Sequence, residues 1–346
     1  MDKRKFKNFK SAAGMASKRL AFPLCLLLSL SACQSTQQAE AKAESLPAWT
    51  SQQPSSEYLV YGVGSASHIT NPTEAKLAAQ EAARLAIAKQ LNVEIEGTTT
   101  VAQSQANGDF SYQVDEILYS KVPSIKLQGI NIEDEFYSQQ SNTAYALASF
   151  NKVESRMHAE LDIRQLDEEI TGARISGLSK SERLKEAMAI KRLIAKRRKA
   201  NDYHRQLGGG SIATPRSVTD KDKMLNDFIQ SVTFSISTQF WGQESIRNQL
   251  AESLTSQGLT VVGEGQAADF QIDFSVDFND VKKNNTYYVF ANSSLKLLEN
   301  SKEKAHVSAQ VKAASSFENM AKSNAEEKAA KILSKKLAML IIDSKI

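Results

Sequence analysis

The sequence predicts an α+β protein with two small domains, each an antiparallel sheet covered by helices, linked by an antiparallel helical hairpin. Residues 58–64 and 269–278 have the β-branched, aromatic or alternating composition of strands. Residues 74–91 and 318–342 repeat their apolar residues at helical spacing. Between these segments, residues 153–207 contain two helical patterns of opposite charge, which predict the hairpin.

The N-terminal domain is predicted over residues 47–152. After the strand at 58–64, a helix begins at Asn71-Pro72, where Asn caps and Pro takes the first helical position, and continues to about Leu91. Its apolar stripe is rich in alanine, which indicates close packing on a sheet, and we expect it to be Ala75, Ala78, Ala82, Leu85 and Ala86. Further extended segments are expected at 93–96, 110–121, 125–138 and 143–151.

The hairpin and a glycine linker are predicted over residues 153–210. The motif Ser179-x-x-Glu182 is a capping box that begins the second helix, and Gly208-Gly-Gly210 marks its end. The first arm is acidic and the second is basic, so that we expect a paired hairpin that projects from the domain. The candidate partner-binding residues on the basic arm are Lys191, Arg192, Lys196, Arg197, Arg198 and Lys199.

Two interpretations of this basic arm remain open at the level of sequence. The arm could contact an anionic partner such as lipid A, peptidoglycan or another subunit. Alternatively, it could be a solvated face that the acidic arm neutralises, with each surface ion pair worth only about 0–1 kcal/mol.

The C-terminal domain is predicted over residues 217–346, with the element order β-α-β-β-β-β-α and an antiparallel sheet covered by two helices. A strand is expected within 225–236, a helix at 241–257 and a short strand at 259–262. The alternation at 269–278 places Asp269, Asp273 and Asp277 on the outer face. Two more strands, at 286–298 and 304–315, and the helix at 318–342 complete the domain.

The N-terminus has the layout of a secretory signal peptide: a basic start, an apolar core and an exit of small residues. The apolar core of about a dozen residues is shorter than the ~20 that a membrane-spanning helix needs. Its exit, Leu30-Ser31-Ala32-Cys33, resembles the lipobox of bacterial lipoproteins. That resemblance implies removal of residues 1–32 and acylation of Cys33, the alternative being ordinary cleavage near Ala32. Residues 33–46 would then form a flexible tether.

The residue after the lipidated cysteine predicts the compartment. It is Gln34 and not Asp, which, by resemblance to lipoprotein sorting in Gram-negative bacteria, implies the outer membrane with the protein facing the periplasm. A single acyl chain binds membranes only marginally, whereas lipoproteins of this type carry three, so we expect a stable anchor.

Composition argues against several classes of function. Residues 1–32 hold seven basic residues and one acid, so their removal changes the net charge from +4 to −2, and no nucleic-acid partner is implied. The other cysteine, Cys25, lies in the removed segment, which leaves no disulfide. The histidines lack metal-ligand spacing, and Gly62-x-Gly64 is expected to be a tight turn and not a dinucleotide loop. We therefore expect no catalytic residues, no metal and no cofactor, and not an enzyme.

Two family resemblances add to this interpretation. Pro47-x-Trp49, the strand ending Tyr61-Gly-Val-Gly-Ser-Ala66, the alanine-rich helix at 74–91 and Tyr145-Ala-Leu-Ala148 resemble the LPP-twenty family of envelope lipoproteins, which includes a flagellar outer-membrane member. That family implies no enzymatic activity and no catalytic residue. Residues 222–346 look like a periplasmic module of peptidoglycan-synthase activators and of the curli-secretion channel lipoprotein, through their element order.

Together these observations predict an outer-membrane-anchored lipoprotein that acts as a structural or assembly component of the cell envelope, with association with the flagellum as one form of that role. The alternative is a regulatory lipoprotein that binds a peptidoglycan-synthesis enzyme or a secretion channel. The expected partners are the outer membrane, through lipid on Cys33, and an envelope protein or further copies of the chain.

Overall fold

The computed structural model describes residues 44–67, 71–98, 109–123, 129–238, 244–263 and 265–346. Cys33, the predicted signal peptide and most of the predicted tether lie outside the described residues. Within the described ranges, no helix is both long enough and apolar enough to cross a membrane.

The first sheet has three antiparallel strands in the order β1-β3-β2, covered by one helix. The strands are β1 (Leu59–Ser67), β2 (Ile130–Ser138) and β3 (Thr143–Asn151), preceded by a short 3₁₀ helix at Ala48–Thr50. Helix α1 (Pro72–Thr98) follows β1 and packs on the sheet. An α+β domain is thus confirmed in the N-terminal half.

Close packing of α1 on β1 depends on two glycines. A Cβ atom on Gly64 would lie 2.2 Å from the backbone of Ala79 and Ala83, and one on Gly62 would lie 2.4 Å from the Ala83 carbonyl oxygen. Of the expected stripe, Ala75 is buried as predicted, but Leu85 is 54% exposed, and Ala78, Ala82 and Ala86 each lie one residue before a buried position. The buried stripe of α1 instead has a spacing of four residues and consists of Ala75, Ala79, Ala83, Ile87 and Leu91.

The predicted hairpin is formed by α3 (Lys152–Gly172) and α4 (Lys180–Gln206). The capping box at the start of α4 is present, with the Ser179 and Glu182 side chains each bonded to the other's backbone. Instead of projecting, the hairpin is built into the body. Helix α4 packs against α2 (Phe110–Lys121) and α5 (Arg216–Gln230), and its apolar residues Leu184 and Met188 join the core of the second sheet.

The second sheet has five strands in the order β5-β4-β6-β7-β8. These are β4 (Thr233–Thr238), β5 (Thr260–Val261), β6 (Phe270–Lys283), β7 (Thr286–Glu299) and β8 (Lys302–Ser315). Strand β4 runs parallel to both β5 and β6, so the expectation of a wholly antiparallel sheet is corrected to a mixed sheet. The reason is that α6 (Glu244–Ser256) follows β4 as a crossover, a connection that joins parallel strands.

One face of the five-stranded sheet is apolar and covered by α6 and by α7 (Glu318–Ile342). The alternation predicted for β6 is confirmed, with Phe270, Ile272, Phe274 and Val276 all buried. The opposite face carries the polar residues of the same strands. The architecture is thus two sheet-plus-helix units joined by a helical hairpin, as the sequence predicts.

Two segments predicted as extended are helical: residues 93–96 continue α1, and residues 110–121 form α2. The strand expected within 225–236 is confirmed as β4, which begins at Thr233 after α5 ends at Gln230. In α2 the buried residues Phe110, Val114 and Leu118 are four apart, and Asp109 caps the helix by accepting from the Ser111 amide. The apolar residues of α2 therefore pack on one helical face, where burial outweighs strand propensity.

Candidate partner-binding site

Lys191, the first of the predicted partner-binding residues, is completely buried. Its ammonium lies 2.5 Å from Asp115 Oδ1, 2.6 Å from Asp222 Oδ1 and 2.8 Å from Asn226 Oδ1. These contacts join α2, α4 and α5 at one point. Burial raises the pKa of Asp115, and the neighbouring Lys191 ammonium offsets this only in part. Lys191 therefore holds the helices together and is not available at the surface.

Arg197 is also buried, with 2% of its surface exposed. Its Nε donates to Asp167 Oδ1 on α3 at 2.8 Å, so the acidic arm does neutralise this basic residue. Its guanidinium also donates to the Ala213 carbonyl oxygen at 2.9 Å and to Thr214 Oγ1 at 3.0 Å. Arg197 thus fixes residues 213 and 214, which follow the predicted glycine linker.

His204 provides a second connection between the two arms and the glycine segment. It is 4% exposed, with Nδ1 2.7 Å from the Gly210 carbonyl oxygen and Nε2 3.1 Å from Glu160 Oε1. Because both neighbours are acceptors when Glu160 is ionised, both contacts are hydrogen bonds only if the imidazole carries two protons. Asn201 adds a further bond, accepting from the Ile212 amide at 2.9 Å.

Arg192 is directed toward the C-terminus of the chain. Its guanidinium donates to the Ile342 carbonyl oxygen at 2.7 Å and to Ser344 Oγ at 2.9 Å. Two of its five N–H donors therefore bind the C-terminal end of α7, and Arg192 is only partly exposed.

Arg198 and Lys199 lie over the ring of Tyr119, 5.0 and 4.8 Å from its centroid. Burial and a hydrogen bond to Asp202 raise the pKa of Tyr119 to about 12. Lys196 is exposed and has no hydrogen-bond or ion-pair partner in the described part of the chain. The basic patch that α4 presents to solvent is thus much smaller than its sequence indicates.

Glu299, at the end of β7, joins the second sheet to α4. It is 4% exposed, and its carboxylate accepts from the Lys180 amide at 2.6 Å, the Ser181 amide at 3.1 Å and Ser181 Oγ at 2.7 Å. Lys304 Nζ lies 3.0 Å away. Burial alone would raise the pKa of Glu299, but the hydrogen bonds outweigh it and hold the pKa below its ordinary value. No local sequence signal marks this contact, because its partners are 118 residues away.

Strand β8 forms one edge of the five-stranded sheet. This 14-residue strand pairs with β7 on one side and is the last strand of the sheet. On its outer side, the Ser308 carbonyl oxygen accepts from Lys336 Nζ at 2.6 Å and the Lys312 carbonyl oxygen from Lys328 Nζ at 3.3 Å. Both lysines are exposed residues of α7.

A groove of about 720 Å³ runs between this edge and α7. Its lining consists of apolar side chains and of lysine side chains from α7. The lining includes Val307, Ile332, Met339, Leu340, Lys331, Lys335 and Lys336. The sequence does not indicate this site, because α7 was recognised only by its buried stripe.

The outer face of the five-stranded sheet carries the three predicted aspartates. Asp269 accepts from the Thr233 amide at 2.9 Å, and Asp273 accepts from Ser237 Oγ and from Gln271 Nε2. Asp277 lies in a polar depression of about 480 Å³. Among the described residues, no group of three or more His, Cys, Asp and Glu side chains is arranged to hold a metal ion.

Comparison with known proteins gives fold-level similarity only. No protein-family model matches the chain, so membership of the LPP-twenty family is not confirmed, and no curated protein matches it. Among solved structures, the secreted protein HP1454 from Helicobacter pylori aligns with 82% of this chain and 99% of its own, at 11% identity and a TM-score of 0.42.

Two bacterial lipoproteins align over shorter spans. The rare lipoprotein B from Shewanella oneidensis covers 32% of this chain and 92% of its own, at 16% identity and a TM-score of 0.20. A minor lipoprotein from Acinetobacter baumannii covers 33% of this chain and 94% of its own, at 10% identity and a TM-score of 0.25. The proposals below therefore rest on the residues of this chain.

Proposed function

We propose that the chain is an outer-membrane lipoprotein whose folded body acts as a structural or assembly component of the cell envelope. The observation that carries this proposal is the motif Leu30-Ser-Ala-Cys33 at the end of a basic and apolar leader. The segment from Gln34 to Leu46 is polar, and a flexible chain of that length would reach about 20 Å. Lipid on Cys33 would hold the protein at the membrane while this segment lets the body meet partners.

The construction of the body supports a scaffold role. Lys191, Arg197 and Glu299 are buried charged residues, and each joins elements that are distant in sequence. Lys191 and Arg197 hold the hairpin to its neighbouring segments and Glu299 holds it to the second sheet, because separating these contacts would leave buried charges without partners. A rigid body on such a tether presents a fixed set of surfaces to partners within reach of the membrane.

Anchoring is tested by replacing the lipidated thiol. We expect Cys33→Ala to retain the leader or to lose acyl mass, and to release the protein from the outer-membrane fraction. Cys25→Ala is the matched control, because it removes the other cysteine of the leader and should change neither mass nor location. Unaltered mass and outer-membrane retention in Cys33→Ala would overturn the proposal.

The assembly role is tested by deleting the gene in the source bacterium. The resemblance of residues 47–155 to a family with a flagellar member makes motility the first phenotype to measure. A swimming defect with normal cell shape supports the scaffold role in a flagellar form. Altered cell-wall crosslinking with normal swimming would instead favour a regulator of peptidoglycan synthesis.

A further inference from the structure

We propose that the edge of β8 is a docking site for an extended, acidic segment of a partner protein, which adds to the sheet as a sixth strand. The inference names the kind of partner that the proposed assembly role requires, and it rests on the exposed edge, the adjoining groove and their charge. Strand addition of this kind draws affinity from main-chain hydrogen bonds and specificity from alternate side chains.

The backbone of β8 is oriented for such pairing. The carbonyl oxygens of Ser308 and Lys312 point outward, since lysines of α7 reach them, and Gln310 between them has the same orientation. On the inner side, Ala309 is the residue whose carbonyl faces β7, where it also accepts from Ser293 Oγ at 3.0 Å. Alternate residues of β8 thus present main-chain groups to a new strand.

The lysines occupy this edge without closing it. Lys328 and Lys336 are exposed, so their ammonium groups can leave the carbonyl oxygens with little loss. An incoming strand would replace them with backbone amides. The released ammonium groups would then pair with carboxylates on that strand, which gives the site its preference for acidic residues.

The spacing of α7 matches the spacing of a strand. Lys328, Ile332 and Lys336 are four residues apart, a rise of about 6 Å per step in a helix. Two residues of strand advance about 6.6 Å, so alternate residues of an added strand would meet these three side chains in turn. The complementary pattern on the face toward α7 is therefore acidic, apolar, acidic.

A second copy of this chain fits the edge less well. Its own acidic edge strand is β2, with Glu133, Asp134 and Glu135, but a bulge between Ile132 and Asp134 interrupts the register. Pairing of β8 with β8 would bring two sets of lysines together. Charge and register therefore favour a separate acidic partner over self-association.

The test uses the full chain, purified in detergent, and a synthetic peptide of about nine residues. Threonine occupies every second position, and glutamate and valine alternate at the others. At low salt we expect this peptide to bind at least about tenfold more tightly than the same peptide with lysine in place of glutamate, and binding to weaken as salt rises.

Two protein variants, each with a matched control variant, separate backbone pairing from charge. Gln310→Pro removes the outward amide and should weaken peptide binding at least about tenfold, whereas Gln310→Ala, which keeps the amide, should not. The double change Lys328→Glu with Lys336→Glu should reverse the preference between the acidic and basic peptides. Lys76→Glu with Lys89→Glu, which alters exposed lysines of α1, is the control for net charge and should leave the preference as it is. Thermal unfolding of each variant shows that it is folded.

Several results would overturn the inference. The first is equal affinity for the acidic and basic peptides, or no binding of either by the folded wild-type chain. Another is binding that Gln310→Pro leaves unchanged. If the chain self-associates and Gln310→Pro abolishes this, the edge binds a second copy instead. If the chain binds anionic lipid vesicles through Lys328 and Lys336 but not through Gln310, the edge faces a membrane instead. The Cys33→Ala experiment tests membrane anchoring independently of peptide binding. The anchoring proposal and the docking proposal can therefore be disproved separately.

Discussion

The two lysine-rich helices of this protein use their charges in different ways. Helix α4 is surrounded by α2, α3 and α5, so Lys191 and Arg197 fall between packed elements and bind acidic residues there. Helix α7 packs on β7, β8 and α6, which leaves a flank along which Lys328 and Lys336 remain exposed. The arrangement of packed elements around a helix, and not its net charge, decides whether its cations stabilise the fold or face a partner.

The largest effect that this comparison predicts is at Lys191. Lys191→Met keeps much of the side-chain volume but leaves Asp115 and Asp222 without their buried counter-ion. We expect the free energy of unfolding to fall by about 3–5 kcal/mol, the usual range for breaking a buried ion pair from one side. Urea unfolding followed by circular dichroism measures it.

Lys196→Met is the control on the same helix, because Lys196 is exposed. It should change the free energy of unfolding by no more than about 0.5 kcal/mol. Similar changes in the free energy of unfolding for Lys191→Met and Lys196→Met would contradict the role of Lys191 as a buried ion pair that holds the helices together.

Arg197→Lys is expected to have the second-largest effect. A lysine keeps the positive charge but cannot bind Asp167, Ala213 and Thr214 at once, because it lacks the planar fork of donors. We expect a loss of about 2–3 kcal/mol, from charged hydrogen bonds left unmade. Hydrogen exchange should also show faster exchange in residues 211–214.

The matched control is Arg164→Lys, on the exposed side of α3, where the arginine pairs, among the described residues, with Glu160 four residues away. Little change in stability is expected there. Unaltered exchange in residues 211–214 of Arg197→Lys would show that the glycine segment is held by other contacts.

The fold could be predicted from sequence wherever a pattern ran long enough. The alternation over 269–278 identified β6, and the apolar stripe over 318–342 identified α7 with its bounds. The four residues at 93–96 alternate by chance within the longer helix α1, and local alternation cannot reveal that. The parallel pairing of β4 depends on which strands meet in space, which no local pattern contains.

The site was less predictable, because charge along a sequence does not reveal burial. Lys191 and Lys196 are the same residue type in the same basic run of the sequence. They are five residues apart, so they lie on roughly opposite sides of α4, where one is buried and the other exposed. Glu299 lies before a turn and would normally be assigned to solvent, but it caps a helix that begins 119 residues earlier. Only the three-dimensional path of the chain brings such partners together.

The attachment of α4 to the second sheet predicts a pH-dependent effect at Glu299. The pKa of Glu299 lies below its ordinary value of 4.5, so this carboxylate adds stability that is present above pH 4.5 and is lost as pH falls through its folded-state pKa. We expect Glu299→Gln to lower the free energy of unfolding by about 1–2 kcal/mol at pH 7. The difference from wild type should narrow below pH 4.5.

Urea unfolding of both proteins at a series of pH values provides the measurement. Glu303→Gln, an exposed change near the same turn, should show no such pH dependence. A gap between Glu299→Gln and wild type that stays constant down to strongly acidic pH would mean that the carboxylate charge is not what holds α4.

The smallest effect on stability is predicted for α7, and it completes the comparison with α4. Lys336→Met removes one exposed hydrogen bond to the Ser308 carbonyl oxygen and leaves no buried charge unpaired. The free energy of unfolding should therefore change by no more than about 0.5 kcal/mol, while affinity for the acidic peptide should fall. A loss of stability close to that of Lys191→Met, with peptide binding unaltered, would mean that the lysines of α7 serve the fold as those of α4 do. The same substitution thus separates a cation that holds helices together from one that is available to a partner.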